Sequence, residues 1–487
     1  MNAVLMVMLV AMLVFAIGCI LLRKSSIITT LMPVCSGALL LIAAVLCVPV
    51  LGGEVIDEGM FYMDSVSAVF MLLVAAIGFM ASIYSRAYIG LEVEEGKVKP
   101  KEQGQYYCLM IVFISVMMLT FSVRSMAIVW LGIGATTLVS TFLVGFYHNE
   151  ESTEAAWKYI ILCSVGITIA LAGFTLVYAS TVGAIDSDMS LDWPALMAAA
   201  DQLDPTLMKM AMVLIIVGFG TKVGFVPMHT WLPDAHSQAP SPVSGLLSAV
   251  LLNCAMYGIL RFYIVSEIVN PGFASTIMLI FGLLSLGAAA FFIVSARDLK
   301  RMLAYSSIEN MGLIAIGFGI GTPIAIAGAV VQMVAHSITK PILFFSAGNI
   351  IQSYGTRDIS RIRGVGKVMP LTSGLMAAGT LAIVGCPPFG VFVGEFTLLF
   401  GSVDAGMTWV TVLMIILLAI VFAGFVKQVF PMLSGEPEGE VENHRSICRH
   451  LPIVILLGCT LFIGLFMPDQ AKEWLGNVVT VITGGSV

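Results

Sequence analysis

Long apolar runs constrain this chain more than any other feature. About fourteen stretches of roughly 18 or more mostly apolar residues follow one another, separated by short polar connections. They fall near 2–22, 28–51, 64–84, 105–123, 125–146, 157–180, 207–227, 242–266, 272–295, 301–319, 323–352, 369–402, 408–433 and 450–468, and are numbered here as segments 1 to 14. A run of that length crosses a bilayer as a helix, because unpaired backbone groups cannot face lipid. Hydrophobic residues make up 59% of the 487 and charged residues 11%, with mean hydropathy +1.02. Soluble domains carry about 25% charge, and no soluble fold of this size hides so much apolar surface. The expectation is therefore an all-α polytopic membrane protein of about fourteen transmembrane helices, with no strands.

The first run, MNAVLMVMLVAMLVFAIGCILLRK, has no basic segment before it and no clear cleavage site after it. It reads as a retained spanning helix rather than a leader. The tail 470–487 reads as an interfacial helix or a frayed end.

No two of the nine cysteines are separated by two residues, and most lie in apolar runs. That argues against an iron–sulfur cluster or a structural zinc in this chain, so no cofactor or metal is expected here. No GxxxxGK[ST] loop occurs, and GFGTKVG is not a dinucleotide fingerprint. A membrane chain of net charge −6 is not expected to bind nucleic acid.

Orientation follows from the basic connections. With the N-terminus outside, sixteen Lys and Arg fall in inside connections, among them Arg23, Lys24, Lys158, Arg297, Lys300, Arg301, Arg357, Arg363 and Arg445. Only Arg124, Lys209, Arg261 and Lys472 fall outside. Both termini are expected outside. The acidic connections 52–60 and 185–204, which carry no basic residue, fit that side.

Two segments contain breaks. Segment 7 carries Gly218, Gly220 and Gly224 and then Pro227, and segment 12 is interrupted by Pro387 and Pro388 in GCPPFGVFVGEF. Paired Gly/Pro-interrupted segments suggest two related halves with discontinuous helices around a polar site, the alternative being simple proline kinks.

The three basic residues that remain, Lys222, Lys340 and Lys427, each lie well inside a spanning segment. A lysine at mid-bilayer costs roughly 2.5–3.5 kcal/mol, so it faces the bundle interior or water. Lys222 sits at the break of segment 7 behind more than ten mostly apolar residues, which argues for a proton carrier over a snorkelling side chain. His336 and Lys340 are four residues apart on one helical face, the spacing of a short proton hop. Glu395, in FVGEFTLLF, has no polar company in sequence and needs a partner from another helix. Weaker candidates are Lys427, late in segment 13 and within reach of the interface, and Glu309, which would cap or pair within the bundle. His229, Asp234 and His236 follow segment 7 and would feed protons inward or order the turn; a metal site is the less favoured reading. Asp64 at the start of segment 3 reads as a helix cap.

FGTKVGFVPMHTWLPDAHSQAPSPVSGLLSAVLLN, DLKRMLAYSSIENMG, VAHSITKPILFFSAGNI and GCPPFGVFVGEFTLLF resemble the antiporter-like membrane subunits. That superfamily comprises proton-pumping subunits of respiratory complex I, large subunits of multisubunit Na⁺/H⁺ antiporters and membrane subunits of energy-converting hydrogenases. The resemblance runs from about residue 60 to 435, and ATTLVSTFLVGFYHNEESTEAAWKYIILCSVGI is similar in particular to the membrane component F of hydrogenase 4.

The resemblance implies a multi-pass cell-membrane protein with two inverted five-helix repeats and broken helices 7 and 12. Residues 1–100 would hold helices 1–3, 101–268 the first repeat (helices 4–8), 269–435 the second (helices 9–13), and 436–487 helix 14 with a short tail. It implies a proton relay of Lys222, His336, Lys340 and Glu395. Partner membrane and peripheral subunits would carry the iron–sulfur and, in hydrogenase-type assemblies, nickel–iron centres. The family pairs its helix-7 lysine with a helix-5 glutamate; this chain has Gly134 there, and Asn253 where complex I subunits have a helix-8 lysine. The function implied is proton translocation within a hydrogenase-like or complex I-like assembly, without redox chemistry in this chain. A subunit of a Na⁺/H⁺ antiporter and a structural scaffold with an impaired proton path are the alternatives.

Overall fold

The computed structural model describes residues 2–21, 25–437, 441–444 and 446–485. Arg23, Lys24 and Arg445, three of the expected inside cations, lie outside the described residues. Twelve helices among those described are long and apolar enough to cross a membrane. They correspond to segments 2–11, 13 and 14. Segment 1 is the helix Asn2–Leu21, and segment 12 is two shorter helices, Pro370–Ile383 and Gly390–Asp404.

Several helices run beyond their apolar runs. Segment 3 forms Ser65–Glu94 rather than ending near 84, and segment 6 starts at Glu150 rather than near 157, so Lys158 is a helix residue. Hydropathy marks where a helix meets lipid, whereas hydrogen bonding continues wherever capping allows. Asn149 caps segment 6 by accepting from the Ser152 amide at 2.7 Å.

Strands are the clear departure from expectation. Ile56–Glu58 and Phe61–Met63 pair antiparallel, Ile56 opposite Met63, around Gly59 at φ 61°. Two three-residue strands in an acidic connection are too short for period-two patterning to register. This hairpin is fastened by Arg124, which reaches Asp57 at 2.8 Å and Asp192 at 2.5 Å and so joins it to the connection 185–204. The tail forms the helix Asp469–Ile482, which buries Val478, Val479 and Ile482 and donates from Asn477 to the Leu51 carbonyl at 2.8 Å.

The two breaks have local causes. The segment 7 helix, Pro205–Val223, stops at Gly224, whose φ of 90° gives the left-handed cap that glycine adopts without a Cβ penalty. The chain then turns and re-forms a helix at Trp231–Gln238. In segment 12, Pro387 and Pro388 cannot continue a helix, and Gly390 starts the second piece. Segment 8 is Ser241–Leu246 and Leu252–Val269 joined through a π-helical stretch, Leu247–Leu251, and is buried from Ser241 to Ser266.

Candidate functional site

Lys222 lies in the last turn of Pro205–Val223, fully buried, where the carbonyl end of the helix favours a cation. Its ammonium donates to the Ile133 carbonyl (2.7 Å), to Thr136 Oγ1 (2.7 Å) and to Thr137 Oγ1, all on segment 5. These neutral oxygens use its three N–H donors, and no ion pair to Lys222 is found among the described residues. Gly134 is on the same helix, next to Ile133. A Cβ built there would lie 3.7 Å from Ile167, an ordinary contact, so a longer side chain has room to start.

Segment 8 joins this cluster to the second half. Asn253 donates to Ser337 Oγ on segment 11 (2.6 Å) and to the Ala249 carbonyl, leaving its own oxygen without a partner. At the π-helical stretch, Ser248 meets Ser307 of segment 10 at 2.7 Å.

His336 and Lys340 share a buried face as the spacing required, but they are not hydrogen-bonded to each other. Lys340 turns to segment 10 and donates to the Leu303 carbonyl (2.6 Å) and Ser306 Oγ (2.5 Å). Both ring nitrogens of His336 are buried without a partner. Glu309, a weaker candidate in sequence, is fully buried within electrostatic reach of Lys340 and of Glu395. Asn310 donates to its Oε2 (2.6 Å) and accepts from Gln332 (2.7 Å), while Oε1 is free. Gln332 in turn lies against Gly394.

Glu395 is buried at the break of segment 12, with Oε1 unpartnered. Its carboxylate fills the space where a Cβ of Gly385 would stand, and Gly385 has φ +67°. The helix break therefore makes the room that the acid occupies.

The residues after segment 7 separate. Asp234 pairs with Lys158 at 3.1 Å and with Arg301, which orders the turn. His229 packs against Phe292. His236 is buried against Phe344 with both ring nitrogens unpartnered and Lys340 and Lys300 within electrostatic reach. The three do not converge on a common point. Lys427 is exposed at the end of its helix, beside Arg297 and Arg363, away from the buried groups.

Sequence reasoning missed five buried charged groups by assigning them to connections or caps, among them Arg449, which donates to Asn349 (3.2 Å) and Gln352 (2.7 Å). Arg261, expected among outside cations, is fully buried and bidentate to Asp64 at 2.6 and 2.8 Å, between Trp193 and Tyr257. Asp64 thus both caps segment 3, accepting from the Ser67 amide, and neutralises that arginine. Lys300, expected in an inside loop, is buried and donates to the Ala239 carbonyl. Glu92 is buried, accepting from Tyr147 (2.8 and 3.0 Å) and Gln352 (3.3 Å). Glu92 and Lys300 both line an open cavity of about 260 Å³. Apolar company on both sides of Arg261, in YGILRFYIV, was the available signal for that residue.

A family model described as NADH:quinone oxidoreductase/Mrp antiporter, transmembrane, matches residues 123–422, more than half of the chain. The chain belongs to this antiporter family. A second model, NADH-ubiquinone oxidoreductase (complex I) chain 5 N-terminus, matches residues 58–96. Relatives include a hydrogenase-4 component F homolog of Methylacidiphilum infernorum, 36% identical over 85% of this chain and 87% of that protein. NADH-quinone oxidoreductase subunit N of Desulforudis audaxviator is 29% identical over 79% of this chain and 75% of that one. Among solved structures, a chain of the Mrp complex from Dietzia sp. DQ12-45-1b superposes with TM-score 0.86 at 19% identity, covering 99% of this chain and 97% of that chain. A chain of the membrane-bound sulfane sulfur reductase, an archaeal respiratory membrane complex, superposes with TM-score 0.87 at 23% identity, covering 99% and 98%. These matches show the fold to be a multi-pass, predominantly helical membrane bundle, in which this chain carries the small hairpin described above.

Proposed function

We propose that this chain is the proton-translocating, antiporter-like membrane subunit of a multisubunit redox complex of the hydrogenase 4, formate hydrogenlyase or complex I type. The observation that carries the reading is the buried succession Lys222, Asn253, His336, Lys340, Glu309 and Glu395. Ionisable groups inside a membrane bundle are costly and mark ion paths. Their open ring nitrogens and carboxylate oxygens are places where water can complete the succession.

In this reading the chemistry is proton transfer alone. Lys222, His336, Lys340 and Glu395 carry protons, Glu309 bridges Lys340 and Glu395, and Asn253 links the halves through a hydrogen bond without charge. Inside access runs from the cavity at Glu92 and Lys300 through His236. Electron transfer belongs to partner subunits bearing iron–sulfur and nickel–iron centres. The chain lies in the cell membrane with both termini outside, in keeping with its bias of basic connections. Helices 4–8 (101–268) and 9–13 (269–435) form inverted repeats, flanked by residues 1–100 and 436–487.

The neutral surroundings of Lys222 favour a second reading, in which the first half conducts poorly and acts as scaffold. Subunit membership in a Na⁺/H⁺ antiporter is the remaining alternative. The test is proton uptake by proteoliposomes carrying the intact complex, with wild-type chain and with Lys340→Met. Loss of uptake in a fully assembled variant is expected. Undiminished uptake overturns the relay, and transport that requires Na⁺ reassigns the chain to the antiporter class.

A further inference from the structure

We infer that a basic pocket at the inside end of segment 13 binds the phosphate of an anionic membrane lipid. The pocket, of about 440 Å³, lies between the end of segment 9, the turn at 358–363 and the last turns of segment 13. Three cations line it, Arg297, Arg363 and Lys427, against one carboxylate, Asp358. That carboxylate is already engaged: it accepts from the Ser360 amide (2.9 Å) and hydroxyl (2.7 Å) and lies 3.6 Å from Arg361 Nε. The side chains of Arg297 and Lys427 have no hydrogen-bond or ion-pair partner among the described residues. Arg363 directs one terminal nitrogen to the Ile359 and Ile362 carbonyls.

Three cations against one carboxylate, which lies within electrostatic reach of Arg297, leave a net positive pocket that suits a phosphodiester, which takes charge-assisted hydrogen bonds from guanidinium and ammonium together. The surface leading away from the pocket selects a lipid over a soluble phosphate. Phe291 lies one turn before Ser295 and is 68% exposed. Ile416 lies three turns before Lys427 on the same helix face and is 53% exposed. Apolar walls on both helices thus continue from the charged pocket in the direction that acyl chains would take, while the Lys427 stem snorkels to the headgroup level. Placement in the inner leaflet rests on the orientation proposed above; the binding itself does not. Lys427, read in sequence as a candidate carrier, acquires an electrostatic role at the membrane edge.

The experiment is lipid retention by the detergent-purified chain, measured by native mass spectrometry after mixing with phosphatidylglycerol, cardiolipin or phosphatidylcholine. It compares wild type with the double variant Arg297→Gln/Lys427→Gln and, as a control outside the pocket, Lys472→Gln in the C-terminal helix. Both altered positions are exposed, and thermal denaturation checks that the fold survives. Anionic lipid should bind in preference to phosphatidylcholine, and its retention should fall about thirtyfold in the double variant only, at about 1 kcal/mol for each of the two basic residues. Equal retention by wild type and double variant overturns the site. Displacement of lipid by millimolar inorganic phosphate overturns the lipid assignment in favour of a soluble anion. Unchanged lipid retention with failure of the double variant to join its complex overturns it in favour of an acidic partner surface. None of these readouts depends on proton movement.

Discussion

The Lys222 ammonium lies 2.7 Å from the Ile133 carbonyl, so segments 7 and 5 are joined through a cation held by neutral oxygens. A buried amine normally needs an acid or a set of hydrogen bonds to remain charged. Here the hydroxyls of Thr136 and Thr137 complete the set. Lys222→Ala in the assembled complex should lower proton uptake on the order of a hundredfold or more, the lower range for a proton-transferring group. Thr137→Val removes one hydrogen bond to a charged group, worth about 1.5–3 kcal/mol, and should leave a partial defect. Equal uptake by wild type and Lys222→Ala would remove Lys222 from the path.

Gly134 sets the second prediction. It adjoins Ile133 and stands one turn from Thr137, with ordinary space at its Cβ. Gly134→Glu should therefore fold and place a carboxylate near the Lys222 ammonium. Proteoliposomes carrying the assembled variant should move protons faster than wild type if the first half is limited by the missing acid. Unchanged uptake would show that neutral ligation suffices.

Asp64 and Arg261 make a buried, bidentate ion pair that fastens the start of segment 3 to segment 8. Removing one partner leaves the other charge buried, at a cost of about 3–5 kcal/mol. Asp64→Asn should lower the thermal denaturation midpoint of the detergent-solubilised chain. Asp64→Leu/Arg261→Met should recover most of the loss, since no lone charge remains. A single variant as stable as wild type would contradict the burial.

Gly385 and Glu395 occupy overlapping space. An alanine at Gly385 would need a left-handed backbone, costing about 1–2 kcal/mol, and its methyl would displace the carboxylate. Gly385→Ala should cut proton uptake at least tenfold with a modest loss of thermal stability. Wild-type uptake by Gly385→Ala would mean that the position of Glu395 is not critical.

The bundle was legible in the sequence because lipid imposes one rule on every segment: twenty or so apolar residues in a hydrogen-bonded helix. The breaks were legible for an equally local reason. Gly224 and the Pro387–Pro388 pair act through their own backbone, whatever surrounds them. Lys222, Lys340, His336 and Glu395 stood out because charge or polarity in an apolar run is itself a signal. Neighbourhood was not legible. Arg261 and Lys300 looked like loop cations because hydropathy records how a stretch partitions into lipid, not which face another helix covers. The surroundings of Glu309 come from Lys340, Gln332 and Glu395, contributed by segments 11 and 12. The hairpin at 56–63 owes its attachment to Arg124 and Asp192, residues distant in sequence. The sequence by itself determined the membrane class, the helices and the breaks, all of which follow from local backbone hydrogen bonding and transfer into lipid. Tertiary structure alone decided which buried charges meet, which stay unpaired and which face the membrane edge, because electrostatic and hydrogen-bond partners are selected by packing between helices.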